Sequence, residues 1–410
     1  MSIADPDDPT TGPYPRGALG HLRILDFTAL VQGPLATQIL GDLGADVIKF
    51  ERLDGEWSRH WGIGNGRTHG EIDSFLAFNR NKRSVAVDLK DPATRERILA
   101  LAEEADVVVE NFRPGVMDRL GLGYGDFAAR NQTIVYACSS GWGQTGPYST
   151  RPGQDMLAQA ASGIHLFQGT RDLPPTPIGI GVADLFTGLY LVVAILAAIS
   201  HRRETGEGQR VEVDLFSCVM ALQQQEITYF LSHGSIPERP TRNLGAVFVT
   251  APFGTYATAD GHLVIAMTPC PVLGEALDLP EIAVFDTNEK MLEHREAIYD
   301  LVAERLATDT TANWIELLLA HDVWTAPVQD YDALMRDPQL RHNGLLWDVP
   351  VGAGSAAETA PTFRTVGSPI CMSRTPARVR RAVPHVGEHT AEVMGAGAAA
   401  SGERRSNHQS

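Results

Sequence analysis

The chain has 410 residues, 43% of them hydrophobic and 20% charged, enough for a full core and, at about 150 residues per domain, for two domains. Thirty-four basic against fifty acidic residues leave a formal net charge of −16, which argues against a nucleic-acid or membrane-surface partner, so an anionic ligand needs a local basic pocket. The four cysteines, Cys138, Cys218, Cys270 and Cys371, are scattered with no CxxC pair, which excludes a disulfide framework and a zinc knuckle and fits a reducing cytoplasm.

Residues 1–16 are acidic and proline-rich with no basic-then-apolar signal pattern and read as a tail. From there β-branched runs alternate with helical periods: LRILDF, GPLATQILGDLG, ADVIKFE, a helix over Ala93–Ala105, then DVVVENF and TIVYACSSG. The alternation predicts an α/β fold with a Rossmann-like, doubly wound parallel sheet. An apolar run follows Asp184; it is shorter than the 18 or so residues of a membrane span and reads as a buried helix. Segment 223–247 reads as a linker. Beyond it, hairpin-like strands in FGTYATADGHLVIAM, turning at Asp260-Gly261, precede a helix-rich block over Asp286–Leu334, which together predict a smaller α+β domain over 248–345. Segment 346–364 reads as a return linker containing the low-complexity loop VGAGSAAETAP, and the end, 397–410, as a low-complexity tail.

Asp184 is the strongest candidate for chemistry, because it stands where the glycine-flanked turn Gly179-Ile180-Gly181 meets the apolar helix that Arg202, Arg203 and Gly206 close. On local grounds the glycines supply backbone conformations that a side chain forbids, and Asp184 serves equally well as a helix N-cap. The first strand is followed by TALVQGP, which lacks GxGxxG; neither a Walker loop nor a GxSxG elbow is present. His385-Val-Gly-Glu388-His389 matches HxxEH in letter only, since Pro384 and Gly387 break the helix it needs, and no metal site is expected. The cluster Asn79-Arg80-Asn81-Lys82-Arg83-Ser84, with Lys90, is the densest basic patch and suits a phosphate-bearing ligand; a solvated charged face is the alternative. Arg52, Arg113 and Arg119 fall after strands, at the edge where open α/β sheets bind ligands.

Taken together, LRILDFTALVQGPLATQILGDLGADVIKFE, FNRNKRSVAVDLK, ADVVVENFRPGVMDRLGLGY, GWGQTGPY, DMLAQAASG, VADLFTGLYLVVAILAAISHRRETGEGQ and VGEHTAEV make the chain resemble the family III CoA-transferases, also called the CaiB/BaiF family, over Gly17–Met394. The resemblance implies a large CoA-binding domain over 17–222, completed by 365–396, a small domain reached through two linkers, and a homodimer of interlocked, ring-like subunits. It implies Asp184 as the catalytic aspartate. Arg52, Val87, Lys90, Asn111, Phe112 and Arg119 would contact CoA, with Val31 and Gln32 near the thioester; Val31 stands where formyl-CoA transferases carry glutamine. No permanently bound cofactor is implied, and acyl-CoA thioesters and carboxylic acids are the substrates.

An aspartate suits such transfer, because its carboxylate can form an anhydride and then a CoA thioester, dividing one exchange into easier steps. Within the same family, 2-methylacyl-CoA racemases need two acid/base groups and carry a His-Asp pair where this chain reads Gln154-Asp155, and glutamine shuttles no proton. Asp155 then either orients the site or caps the helix that follows it. His165 reads as a core or boundary histidine. Asn243-Leu244-Gly245-Ala246 lacks the glycine run of the formyl-CoA transferases, so donor and acceptor do not carry over, and Phe248, Tyr256 and Trp324 line either the acyl side or a core. A CoA-binding protein without turnover is the reading of another class.

Overall fold

The computed structural model describes residues 17–62, 66–352 and 360–395, so the expected tails 1–16 and 397–410 lie outside the described residues. The chain divides into two compact units. The larger comprises the residues up to Ser162, Ile180–Leu222 and those from Pro338 onward; the smaller comprises Gly163–Gly179 and Gln223–Asp337.

The larger unit is built on a six-stranded parallel sheet: β1 (Arg23–Asp26), β2 (Asp46–Glu51), β3 (Lys82–Ala86), β4 (Val107–Glu110), β5 (Val135–Ser140) and β6 (Gln209–Asp214), in the order β3-β2-β1-β4-β5-β6. β1 to β5 are strands because both of their faces are largely buried, whereas the edge strand β6 leaves Arg210 and Glu212 exposed. Ile24, Val47, Val107, Val109, Val135 and Ala137 pack under α1 (Gln32–Asp42) and the later helix over Val182–Thr205. Leu25, Ile48, Val85, Val108 and Tyr136 face the opposite layer, where Ile98, Leu99 and Phe127 cover them. The connections supply α2 (Asp73–Phe78), α3 (Pro92–Leu101), α4 (Val116–Leu120), α5 (Tyr124–Arg130), α6 (Asp155–Ser162) and α7 (Val182–Thr205). Asp91 caps α3 by accepting from the Thr94 N–H at 2.9 Å, and Pro92 occupies its first position, as a missing N–H there allows.

From β1 the chain winds outward to β2 and β3, then returns to place β4 on the other side of β1. Strand order therefore reverses between β1 and β4, the kind of switch point at whose carboxyl ends open α/β sheets bind ligands. The last segment closes the outer edge of β3: Asn81 N donates to the Arg381 carbonyl at 3.2 Å, His389 N to Ser84 O at 2.9 Å, and Ala86 N to Thr390 Oγ1 at 3.0 Å. The stretch 346–364 is more than a linker, because β10 (Leu346–Pro350) pairs antiparallel with β11 (Thr362–Val366), which begins in it and runs two residues past its end.

α7 is longer than the apolar run suggests. It spans 24 residues and is apolar enough, with a mean hydropathy of 2.3 over its best window, to cross a membrane by length and composition. Its inner face nevertheless lies in the core of the larger unit, with Leu191, Ile195 and Ile199 buried against the sheet.

The smaller unit packs its own core, Tyr256, Leu263, Ile265, Leu273, Ile298, Val302 and Trp314 among others, between a three-stranded antiparallel sheet and helices. The sheet runs β9-β8-β7, with β7 (Gly254–Ala257) and β8 (His262–Ala266) joined through Asp260-Gly261 and β9 (Trp324–Pro327) returning beside β8. Helix α8 (Leu215–Leu222) ends the preceding part of the larger unit, and α9 (Gln224–His233) stands where a linker was expected.

Candidate active site

The loops that leave β1, β2, β3 and β4 carry Val31 and Gln32, Arg52, Val87 and Lys90, and Asn111 and Phe112, so neighbouring strands bring these residues to one carboxyl edge. Arg119 follows on α4. At the switch between β1 and β4, Asn111 clamps the two loops together: its Oδ1 accepts from Ala29 N at 2.9 Å, and its Nδ2 donates to Ala29 O at 2.8 Å. Both ends of that amide therefore hold backbone. Arg52, Lys90, Arg113 and Arg119 are exposed, which leaves cationic side chains along this edge, with Arg52 also 3.1 Å from Asp54. Val87 is buried and Phe112 packs on the core, so both offer wall more than donor groups.

The basic cluster at 79–84 is not a phosphate patch. Asn79, Arg80, Asn81, Lys82 and Ser84 are buried at the start of β3 and meet internal acids. Arg80 pairs with Asp42 at 2.7 Å, Asn81 donates to the same carboxylate at 2.8 Å, and Lys82 sits 3.2 Å from Asp26. A lysine and arginine so enclosed persist because each has a carboxylate partner and further hydrogen bonds. The late HxxEH letters are likewise engaged structurally: Glu388 accepts from the His385 backbone N–H at 2.8 Å, and the His385 ring meets Glu71 at 3.1 Å.

Asp184 occupies the first turn of α7, half-buried, and it is not that helix's cap. The N-cap position is Gly181, which has no side chain, and Asp155 from α6 serves in its place. Its Oδ1 accepts from Ala183 N at 2.7 Å and from Asp184 N at 3.2 Å, while Gln159 Nε2 donates to its Oδ2 at 2.6 Å. An acid from another helix thus satisfies the N–H groups that Asp184 would otherwise satisfy, which leaves the Asp184 carboxylate without a capping duty. Asp155 therefore caps α7, as well as standing at the head of its own helix. The carboxyl of Asp184 is pushed up to about 7, first by burial and second by the like charge of Asp155.

Gly179 and Gly181 do not supply unusual backbone. Gly181 has φ −71°, neither lies in the left-handed region, and a Cβ at Gly179 meets nothing within 4 Å. A Cβ at Gly181 would stand 3.8 Å from Asp155 Oδ1 and 4.0 Å from the Asp184 Cβ, an ordinary contact distance. One turn onward, Gly188 is required for a different reason, since a Cβ there would stand 2.8 Å from the Gln32 carbonyl oxygen. Residues four apart share a helix face, so the close crossing of α1 and α7 at Gly188 lies on the Asp184 side of α7. Gln32 is held there by Ser139, whose Oγ donates to Gln32 Oε1 at 2.6 Å. Neither Ser139 nor Gly188 was singled out from the sequence: one sits in a strand exit, the other in an apolar run, and only the fold joins them.

Gln154 is exposed and accepts from Met156 N at 3.0 Å, which starts α6. His165 belongs to the smaller unit. Tyr256 is core there, with its hydroxyl donating to Pro252 O at 2.7 Å, and Trp324 is exposed on the β9 edge of its sheet. Phe248 lines a cavity of about 450 Å³ in the smaller unit with Tyr229 and Arg295.

Residues 19–390 match the model of CoA-transferase family III. The chain is similar to the succinyl-CoA:mesaconate CoA-transferase of Haloarcula hispanica, with 33% identity covering 95% of this chain and 98% of that protein. It is similar also to the succinyl-CoA:glutarate CoA-transferase of Homo sapiens, with 32% identity over 92% of this chain and 85% of the relative. Among solved structures, a CAIB/BAIF family protein from Brucella suis superposes with a TM-score of 0.81 at 31% identity, covering 92% of this chain and 98% of that one.

Proposed function

The chain belongs to CoA-transferase family III, and on that premise we propose that Asp184 is the covalent nucleophile through which CoA passes from an acyl-CoA donor to a free carboxylic acid. The observation that carries this reading is the division of labour between two carboxylates, Asp155 holding the helix start and Asp184 left free beside it.

In this mechanism an Asp184 oxygen attacks the donor thioester carbonyl, the C–S bond breaks, and CoA departs as thiolate, leaving a mixed anhydride. The thiolate attacks the aspartyl carbonyl of that anhydride, forming an enzyme thioester and freeing the donor acid. The acceptor carboxylate then attacks the enzyme thioester, and the thiolate, released once more, attacks the acceptor's carbonyl in the second anhydride. A new acyl-CoA leaves and the carboxylate is restored, with no net proton or electron exchanged. Side chains already hold the N–H groups of Thr28–Leu30 and of Ala183 and Asp184, so the backbone N–H groups of Val31 and Gln32 suit stabilisation of the oxyanions, and CoA held along the carboxyl edge by Arg52, Lys90 and Arg119 supplies remote binding energy for orientation. Val31 and Gln32 form the wall facing the thioester.

Two relatives are named for succinyl-CoA with a dicarboxylic acceptor, so short dicarboxylic acids are the first acceptors to test. The active assembly in this reading is an interlocked homodimer in a reducing cytoplasm. Mass spectrometry of an acyl-CoA panel incubated in D₂O with the protein and isotope-labelled acids tests it. Labelled acid appearing as its CoA thioester is the expected result; deuterium at C2 without transfer would instead mark a racemase, and release of free CoA without transfer a thioesterase.

A further inference from the structure

The three residues before Val31 and Gln32 have their backbone groups held by four side chains of the larger unit. Asp26 Oδ1 accepts from Thr28 N at 2.8 Å, and Lys49 Nζ donates to Thr28 O at 2.8 Å. Asn111 holds both polar groups of Ala29. Glu56 Oε2 accepts from Leu30 N at 3.2 Å. Leu30 has φ +71°, a left-handed backbone that a leucine adopts only where its surroundings impose it.

Glu56 is the one of these four that lies on the segment following β2, four residues beyond Arg52. It is buried, heads the 3-10 turn Trp57–Arg59 by accepting from Ser58 N at 3.0 Å, and stands 3.6 Å from the buried ammonium of Lys49. Lys49 in turn touches the same loop at Thr28. The carboxylate therefore joins the Arg52 segment to the residue whose unusual backbone sets the direction of Val31 and Gln32. We propose that Glu56 is a positioning residue, which fixes Leu30 in its left-handed conformation and so holds the Val31–Gln32 wall in register with Asp184. Its reach to Leu30 N, more than its charge, is what the role requires.

Glu56→Asp and Glu56→Gln in the full chain separate reach from charge. The aspartate keeps the charge facing Lys49 and a good cap for Ser58, but its oxygen retreats by one methylene from Leu30 N. Glutamine keeps the reach through its carbonyl oxygen. Amide hydrogen exchange of the 28–32 peptide and steady-state transfer kinetics are read on both. For Glu56→Asp we expect exchange faster by about tenfold and kcat lower by about tenfold, with KM for acyl-CoA within about threefold of wild type. Glu56→Gln is expected to restore most of both. Equal impairment of the two variants, impairment of Glu56→Gln alone, or wild-type behaviour of Glu56→Asp would overturn the proposal. Should both variants fail to fold, exchange of 28–32 in the wild-type protein decides: the proposal requires slow exchange there, and exchange as fast as an unprotected loop overturns it. The kinetic readout rests on the transferase reading, whereas exchange does not. Absence of transfer by the wild-type protein would overturn that reading and leave the exchange contrast to decide the role of Glu56.

Discussion

At the scale of single residues, the reactive form of Asp184 is its carboxylate, and burial with the charge of Asp155 pushes the group up to about 7. Transfer activity is therefore expected to fall as pH drops through about 7, in a pH–kcat/KM profile governed by one ionisation on its acid side. Asp155→Asn removes the like charge, so the acid limb should move to lower pH while kcat falls from the loosened helix start; an unmoved limb would assign the ionisation elsewhere. The same shift has a stability consequence. A carboxyl with an ordinary value near 3.8 that is raised to about 7 in the folded chain keeps a proton there that the unfolded chain has lost. Its stabilising contribution is complete below about 4 and is lost as pH rises through about 7. Glu110, buried and likewise pushed up to about 7, works in the same direction. Asp184→Asn should accordingly raise the melting temperature relative to wild type at pH 8, by about 2 °C or more, with the gap closing at pH 4. A gap independent of pH would contradict the raised value.

At the scale of elements, the start of α1 crosses α7 one turn beyond Asp184, with the Gln32 carbonyl against Gly188, whose lack of a side chain permits it. Gly188→Val forces side-chain atoms against the Gln32 carbonyl, and overpacking of this kind costs about 1–3 kcal/mol. A lower urea midpoint together with reduced kcat is expected; lost stability with unchanged kcat would place the crossing outside the site. These elements differ in how far the sequence discloses them. Strands such as DVVVENF and TIVYACSSG are legible because burial on both faces demands unbroken apolar runs, and an α7 with Asp184 at its start is legible from its terminal glycines and arginines. The cluster at 79–84 is misleading in sequence, since its acids, Asp42 and Asp26, lie some forty or more positions earlier and only strand pairing reveals them. Asp155 is a similar case: in sequence it reads either as orienting the site or as capping its own helix, and its partners prove to be N–H groups 28 and 29 residues later. Local patterns report local bonds, and the long-range polar contacts that free or bury a charge leave no periodic trace.

At the scale of the whole molecule, the sheet that carries the site depends on residues far along the chain. Val349, Val351 and Val383 form a core with Phe75 and Leu76, and the segment around Arg381–Thr390 bonds to β3. Truncation after Asp337 should therefore abolish cooperative unfolding of the larger unit in thermal circular dichroism, whereas a cooperative transition near the wild-type temperature would show that the late residues only decorate it. The central claim, that Asp184 is covalently engaged during CoA transfer, follows its own oxygen atoms. When the acceptor carboxylate attacks the enzyme thioester and the second anhydride is then cleaved at the acceptor's carbonyl, one acceptor oxygen remains on the enzyme. Turnover with an ¹⁸O-labelled acceptor acid, followed by peptide mass spectrometry, should find ¹⁸O in the Asp184 side chain; product formation through many turnovers with that peptide unlabelled would contradict the mechanism.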